Sequence, residues 1–430
     1  MGISKKYILF VIVEAFFCQV LANSIMTIIE KSFSMKSVKM TEKAYDSYIV
    51  IFRDSVDNIK VQMHYLWVHN LHLKLFQGYE QKVLETDNKN IKTYQWLKHD
   101  YEIPGRLRGY SGVFSEEIVK QIRNHEDVEF VEKDQIVHTM MIQKNAAWGL
   151  ARVSHKDMLN LSTFNEYDFD SCSGKGVNVY IIDTGINVNH EDFGTRAKWG
   201  INLVSDEHVD GNGHGTHVAG IVAGLKYGIA KNATVIAIKS DVIKGIEWAI
   251  KMHLRSIESL KNNTDFKGSV ANLSLGGTKS KIMNYIIDIA VSLGLHFTVA
   301  AGNDNDDACN YSPSSSESAI TVGAATILDN KAHFSNYGKC VDIFAPGQNI
   351  ISTWIGDNLA TRSLSGTSMA SPHVCGLVAY FLSIIFKDSQ YDILFTSKML
   401  KNMIFDKGNK GKLHNIPLST KNIIAYNGFR

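Results

Sequence analysis

Asp183, His214, Asn303 and Ser368 are the residues of this 430-residue chain whose types could together carry out acyl transfer. Ser368 lies in Gly366-Thr367-Ser368-Met369-Ala370-Ser371-Pro372-His373-Val374, followed by an apolar run to Phe386. Small residues around one hydroxyl read as a tight turn that delivers Ser368 to the first turn of a buried helix. They let substrate and backbone approach closely, and the unpaired N–H groups of a helix start favour negative charge nearby. A nucleophilic serine also needs a base and a group that orients the base. His214 is flanked by glycines in Asp210-Gly211-Asn212-Gly213-His214-Gly215-Thr216-His217. Asp183 follows the apolar Tyr180-Ile181-Ile182, and Asn303 follows Val299-Ala300-Ala301-Gly302, where an amide could donate to an oxyanion. Taken singly, an aspartate there is a turn former or cap and a histidine is a hydrogen-bonded structural residue. That plainer reading is kept for His217.

The elements around these residues alternate. Val177 to Ile182 is a near-continuous apolar run of the kind found in buried parallel strands. A helix is expected at His214 to Ala223, a strand at Val235 to Ile238, and a helix carrying Ile243, Ile246 and Ile250 on one stripe. Ser240 is the expected N-cap of that helix. A strand at Val270 to Leu275, a helix at Lys281 to Ser292 and a strand at His296 to Ala301 follow. Such alternation predicts an α/β fold: a mostly parallel sheet flanked by helices, with its site at the carboxyl ends of the strands.

The first third of the chain has a different texture. Lys5 and Lys6 precede an apolar stretch from Tyr7 to Phe17, and Val20-Leu21-Ala22 offers a small-residue cleavage site, so residues 1–22 read as a secretory signal. That stretch is short for a membrane span. Residues 23–142 read as a small α+β module. Strands are expected at Tyr48 to Phe52, Gly109 to Phe114 and Asp127 to Glu132, and Pro104-Gly105 punctuates the chain. A helix spans Asn58 to Leu75 with Ile59, Met63, Leu66 and Trp67 on its apolar side, and a second starts at Ser115. Met140 to Ala147 carries little charge and reads as a linker into residues 143–430.

Composition narrows the function. A hydrophobic content of 45% supports a sizeable core, and a net charge of +2 gives no case for nucleic acid or an anionic membrane as partner. Once a signal carrying Cys18 has left, Cys172, Cys309, Cys340 and Cys375 remain, none with C-x-x-C spacing. In an oxidising compartment at least one pair reads as a disulfide.

The chain order Asp183, His214, Ser368 is that of subtilisin, not of chymotrypsin or the α/β-hydrolases. With Asn272-Leu273-Ser274-Leu275-Gly276-Gly277 and Ala300-Ala301-Gly302-Asn303, the sequence after residue 145 resembles the subtilisin-like serine proteases, most closely the proteinase K and cerevisin branch. Ala147-Trp148-Gly149-Leu150-Ala151-Arg152 is similar to the start of the mature enzyme in that branch, and residues 110–114 and 128–132 to its inhibitory, ferredoxin-like prodomain. The resemblance implies an endopeptidase acting on protein or peptide substrates and made as a zymogen, with its own propeptide as intramolecular inhibitor. Ser368 would be the nucleophile, His214 the base, Asp183 the orienting acid, and Asn303 with the Ser368 N–H the oxyanion donors. Ser274, Leu275 and Gly276 would pair with an extended substrate. Ala300, Ala301 and Gly302 would wall an uncharged primary specificity pocket.

The resemblance further implies a Cys309–Cys340 disulfide, with Cys172 and Cys375 free. No cofactor is needed for the chemistry, but a structural calcium would be held by Asp342 and the backbone carbonyls of Glu317 and Ala319. It implies secretion or a vacuolar destination. Esterases of the α/β-hydrolase type present Gly-x-Ser-x-Gly, and Ala370 stands in the last place here.

One stretch departs from the family. After Ile238-Lys239 the chain goes straight to Ser240-Asp241-Val242-Ile243, where relatives carry about ten more residues including a Gly-Ser-Gly turn, although a loop of about 2–6 residues is ordinary in itself. That segment supplies the second edge for the substrate backbone. Its loss predicts a strand that ends early or a helix that begins late, and a cleft open on one side with Asp183, His214 and Ser368 in catalytic reach. The alternative is a binding protein that keeps the fold without activity.

Overall fold

The structure, a computed structural model, describes residues 46–75, 96–103, 107–134, 140–260, 265–386 and 396–429. The expected signal segment and Pro104-Gly105 lie outside them. The chain divides into two units between Val137 and His138.

In the first unit, β1 (Asp46–Phe52), α1 (Asn58–Leu75), β2 (Leu97–Ile103), β3 (Leu107–Phe114), α2 (Glu116–Arg123) and β4 (Val128–Lys133) follow one another. The strands form an antiparallel sheet in the order β2-β3-β1-β4, which is the split βαβ arrangement of ferredoxin-like domains. Ser115 caps α2 by accepting from the Ile118 N–H. Strand β2 has three consecutive exposed residues in Lys98-His99-Asp100, so no alternation in its sequence announced it.

The expected face of α1 is not the buried one. Ile59, Met63 and Leu66 are exposed, and Trp67 is half-buried. His64, Tyr65, Val68 and Leu71 point inward instead. The core they enter is aromatic: Phe52, Tyr110 and Trp96 ring the site, and His64 Nε2 bonds the Tyr110 hydroxyl at 3.0 Å. Tyr65 and Tyr110 fit this core because their hydroxyls find partners, on Asp100 and His64.

The second unit opens with β5 (Met140–Lys144), paired antiparallel with β6 (Glu166–Asp170). Met140 to Ala147 is therefore mostly a strand, not a linker; its pairing partner lies beyond α3 (Trp148–Val153) and is invisible to local reading. The main sheet comprises β7 (Val177–Ile182), β8 (Ala197–Asn202), β9 (Thr234–Lys239), β10 (Gly268–Leu273), β12 (His296–Ala300), β14 (Ile320–Ala325), β15 (Ile343–Pro346), β18 (Asn409–Lys410) and β19 (Ile423–Ile424). Its order is β18-β19-β15-β14-β12-β10-β7-β9-β8, and every pairing but β18 with β19 is parallel. Two-stranded ribbons join β11 (Gly277–Thr278) to β13 (Tyr311–Ser312) and β16 (Ile350–Thr353) to β17 (Thr361–Leu364).

Helices cover both faces. Along β7, Val177, Val179 and Ile181 pack in one core with α4 (His214–Ala223) and α7 (Thr367–Ile385). Tyr180 and Ile182 pack in the other with α5 (Val242–Ser259) and α6 (Lys281–Ser292). The period of two along a strand thus sorts one segment between two cores. Of the described helices, only α7 is long and apolar enough to cross a membrane, and it runs through the middle of the first core. A last helix, α8 (Ser397–Lys407), follows.

The short junction behaves unlike either expectation. Strand β9 runs to Lys239, still paired with β7 and β8, and α5 starts at Val242. Asp241, not Ser240, caps α5 by accepting from the N–H groups of Ile243 and Lys244. Ser240 instead donates its hydroxyl to the Asp241 carbonyl. The tight turn is possible because Gly245 lets the helix start lie against the strand ends; a Cβ there would stand 2.7 Å from Ser240 Oγ.

Candidate active site

Asp183 follows the last residue of β7, and its own N–H bonds the Ile238 carbonyl of β9. His214 is the first residue of α4. The two meet because Gly215 carries no side chain: a Cβ there would sit 2.2 Å from the Gly185 carbonyl oxygen and 3.1 Å from Asp183 Cβ. His214 Nδ1 lies 2.8 and 2.9 Å from the Asp183 carboxylate oxygens, so Nδ1 carries the proton and Nε2 is left as the basic nitrogen. Burial works against the imidazolium, but the hydrogen bond and charge of Asp183, with the charge of Asp210, outweigh it and hold the His214 pKa above the ordinary value.

Asp210 organises the loop in front of His214 and was not singled out from sequence. Its buried carboxylate accepts from the N–H groups of Asn212, Gly213 and Thr216 and from the hydroxyls of Thr184 and Thr216. An aspartate four residues before the histidine, followed by glycines, was the available signal. His217 is structural, as expected: its Nε2 sits between the carbonyls of Ile350 and Arg362, and burial lowers its pKa to about 4.

Ser368 occupies the first turn of α7. Its hydroxyl donates to the Ser274 carbonyl at 3.1 Å, and the Ser274 hydroxyl donates back to the Ser368 carbonyl at 2.8 Å. The Ser368 hydroxyl therefore bonds Ser274 and not His214; hydrogen bonds of a candidate nucleophile are often long or misaligned in free enzymes. Beneath it lies a polar knot. Asn272 Oδ1 accepts the hydroxyls of Thr298 and Ser371, and its Nδ2 donates to Ser274 Oγ. Asn272 ties β10, β12 and the start of α7 together, and an amide inside an otherwise apolar strand was the clue to it.

Asn303 Oδ1 accepts both the N–H and the hydroxyl of Thr367, at 2.8 and 2.9 Å. Two donors on one atom fix the amide orientation, so Nδ2 is the side presented for donation. Ala300 and Ala301 are buried and Gly302 is half-buried. Gly302 adopts φ +107°, and a Cβ there would overlap the Asn336 amide, which holds the Ala301 carbonyl. Leu275 and Gly276 belong to no strand and follow Ser274 along the edge between β10 and β11.

Across from that edge is space. A cavity of about 210 Å³ is lined by Ile182, Asp183, Thr184, His214, Ser240, Ser274 and Leu275. A second, of about 320 Å³, shares Asp183, Thr184 and Ser240 and reaches Val204, Asn212 and Lys239.

The remaining assignments divide. Cys309 and Cys340 are disulfide-bonded, with Cα atoms 5.3 Å apart, and Cys172 and Cys375 are free. Asp342 and the carbonyls of Glu317 and Ala319 converge, yet what they surround is the amino group of Lys401. Those oxygens do not fit a metal while that side chain holds them.

Comparison with known proteins agrees with this geometry. The model of the Subtilase family matches residues 174–417, and that of the peptidase inhibitor I9 family matches residues 47–140. Alkaline protease 2 of Aspergillus fumigatus is 49% identical over 401 residues, which cover 89% of this chain and 81% of the relative. Subtilisin-like protease 8 of Trichophyton verrucosum is 49% identical over the same shares. The solved structure of a cold adapted subtilisin-like serine proteinase matches with a TM-score of 0.57 at 36% identity, over 66% of this chain and 98% of that one.

Proposed function

The chain belongs to the subtilase family and is a serine endopeptidase, and we propose that it works as a self-processing zymogen of the secretory pathway with Ser368 as nucleophile. The observation that carries this reading is the Asp183–His214 pair, whose basic nitrogen is left for a serine at a helix start. His214 takes the Ser368 proton as Oγ attacks the peptide carbonyl, then returns it to the leaving amine; Asp183 holds the tautomer and stabilises the imidazolium. The Asn303 amide and the Ser368 N–H stabilise the oxyanion. No cofactor enters the reaction.

The inhibitor match over residues 47–140 supports an N-terminal unit that folds first and is then cut away within residues 138–147. The signal-like N-terminus and the disulfide support passage through an oxidising compartment. The substrate backbone runs along Ser274, Leu275 and Gly276, and alanine and glycine walls favour an apolar or broad preference beside the scissile bond. Because the cavity at Ser240 replaces a second pairing edge, short activated esters are cleaved well relative to long peptides. Two or three missing hydrogen bonds of about 0.5–1.5 kcal/mol each weaken extended peptides by roughly ten- to a thousandfold.

Expression of the precursor tests this. The wild-type chain should split once within residues 138–147, and Ser368→Ala should remain whole. A Ser368→Ala chain that matures unaided, in the absence of other proteases, refutes self-processing.

A further inference from the structure

The oxygens expected to bind calcium bind a lysine. Lys401 Nζ, from α8, lies 2.6 Å from the Ala319 carbonyl, 2.9 Å from the Glu317 carbonyl and 2.8 Å from Asp342 Oδ2. An ammonium has three donors, and here three oxygens take them. Lys421 Nζ meets the other carboxylate oxygen of Asp342 at 2.7 Å. Both ammonium groups lie over the ring of Phe405, at 5.8 and 5.3 Å from its centroid. Asp342 also accepts the Thr321 N–H, so its carboxylate is engaged on both oxygens.

We propose that Lys401 is a built-in cation: it holds the loop before β14 and the residue before β15 to α8 as a divalent ion would, and its removal unmasks a calcium site. The two lysines differ in what they do. Lys401 is 16% exposed and reaches both carbonyls, whereas Lys421 is 45% exposed and reaches Asp342 without them. Only Lys401 therefore occupies the position where an ion would gather all three oxygens. An ion placed there would need further oxygens from water, since calcium takes six to eight, and the Lys401 side chain excludes them. A tethered ammonium cannot be diluted away or chelated, so this part of the fold keeps its cation under any calcium concentration.

The test is thermal unfolding of the full chain carrying Ser368→Ala, so that self-digestion does not set the apparent Tm, in chelator and in calcium. Without further change, calcium should add nothing at this place. Lys401→Ala should lower Tm in chelator by about 5 °C, and calcium should restore part of the loss. Lys421→Ala should show no gain in calcium response, because Lys401 still holds the oxygens. A Lys401→Ala chain that loses no stability, or responds to calcium no more than its parent, overturns the proposal. Should that variant not fold, Asp342→Asn decides: an unchanged calcium response supports the proposal, and a diminished one shows that Asp342 already binds the ion and overturns it.

Discussion

Two carboxylates of the second unit each face a nitrogen cation or its precursor, and they do opposite work. Asp183 is nearly buried, but its partner His214 is 28% exposed and borders a cavity, so one face of the pair stays available to a reacting molecule. Asp342 is similarly buried, but the Lys401 ammonium is closed in by two carbonyls and an aromatic ring. His214, its pKa held above the ordinary value and one face open, can take up and release a proton. The second pair holds three chain segments and offers nothing to a substrate. What separates chemistry from structure here is the unfilled side of the pair, not the charge or the burial of the acid.

The sharpest way to break the comparison is to cut each pair and read both activity and stability. His214→Ala should lower kcat by about a million-fold, a magnitude measured in subtilisin, a relative, while the melting temperature moves little. Lys401→Ala should do the reverse, with kcat/KM kept below melting. Asn303→Ala comes next: kcat falls roughly a hundred- to a thousandfold with KM little changed, again on the subtilisin scale. A rise in KM with kcat unchanged instead would mean that Asn303 serves binding and not the oxyanion.

Histidine titration sharpens the contrast further. His214 must be neutral to act as base, and its pKa is held above the ordinary value, so the acid limb of kcat/KM against pH should lie above about 6.5. Four buried histidines of the second unit are held the opposite way. Burial lowers His217, His253 and His373 to about 4 and His296 to about 3. Above about pH 6.5 they are neutral folded or unfolded; below it the unfolded chain takes up protons that the folded chain refuses. Stability present above that pH is lost as pH falls toward 4, with unfolding taking up as many as four protons. Calorimetry in buffers of different ionisation enthalpy measures that uptake. The smallest effect expected is that of Lys421→Ala, about 1–2 °C in Tm, because its lysine is exposed and Asp342 keeps Lys401.

The buried parallel strand β7 and the helices α1, α4 and α6 were legible to the residue, because a near-continuous apolar run or a helical spacing marks them. Asp183, His214, Asn303 and Ser368, singled out from sequence, lie at or near the ends of strands and helices. What sequence hid was non-local. The face of α1 was misjudged because its core partners are aromatic rings and hydroxyls from β1 and β3, not aliphatic groups. Strand β5 was taken for a linker because β6, which gives it an edge to pair with, lies past a helix. Lys401 stands 82 residues from the Ala319 carbonyl that it binds, and as one lysine among several in α8 it carries no local mark. Asp241 displaced Ser240 as cap because a carboxylate one residue closer reaches two N–H groups at once.

Above all, we propose Ser368 as an activated nucleophile. Treating the matured protein with a fluorophosphonate probe and locating the adduct by peptide mass spectrometry measures this. One label per chain is expected on Ser368, with peptide cleavage lost in step with labelling and no labelling of His214→Ala. A folded, matured protein that takes up no probe, or takes it up elsewhere, would contradict the proposal and leave a binding protein in a protease fold.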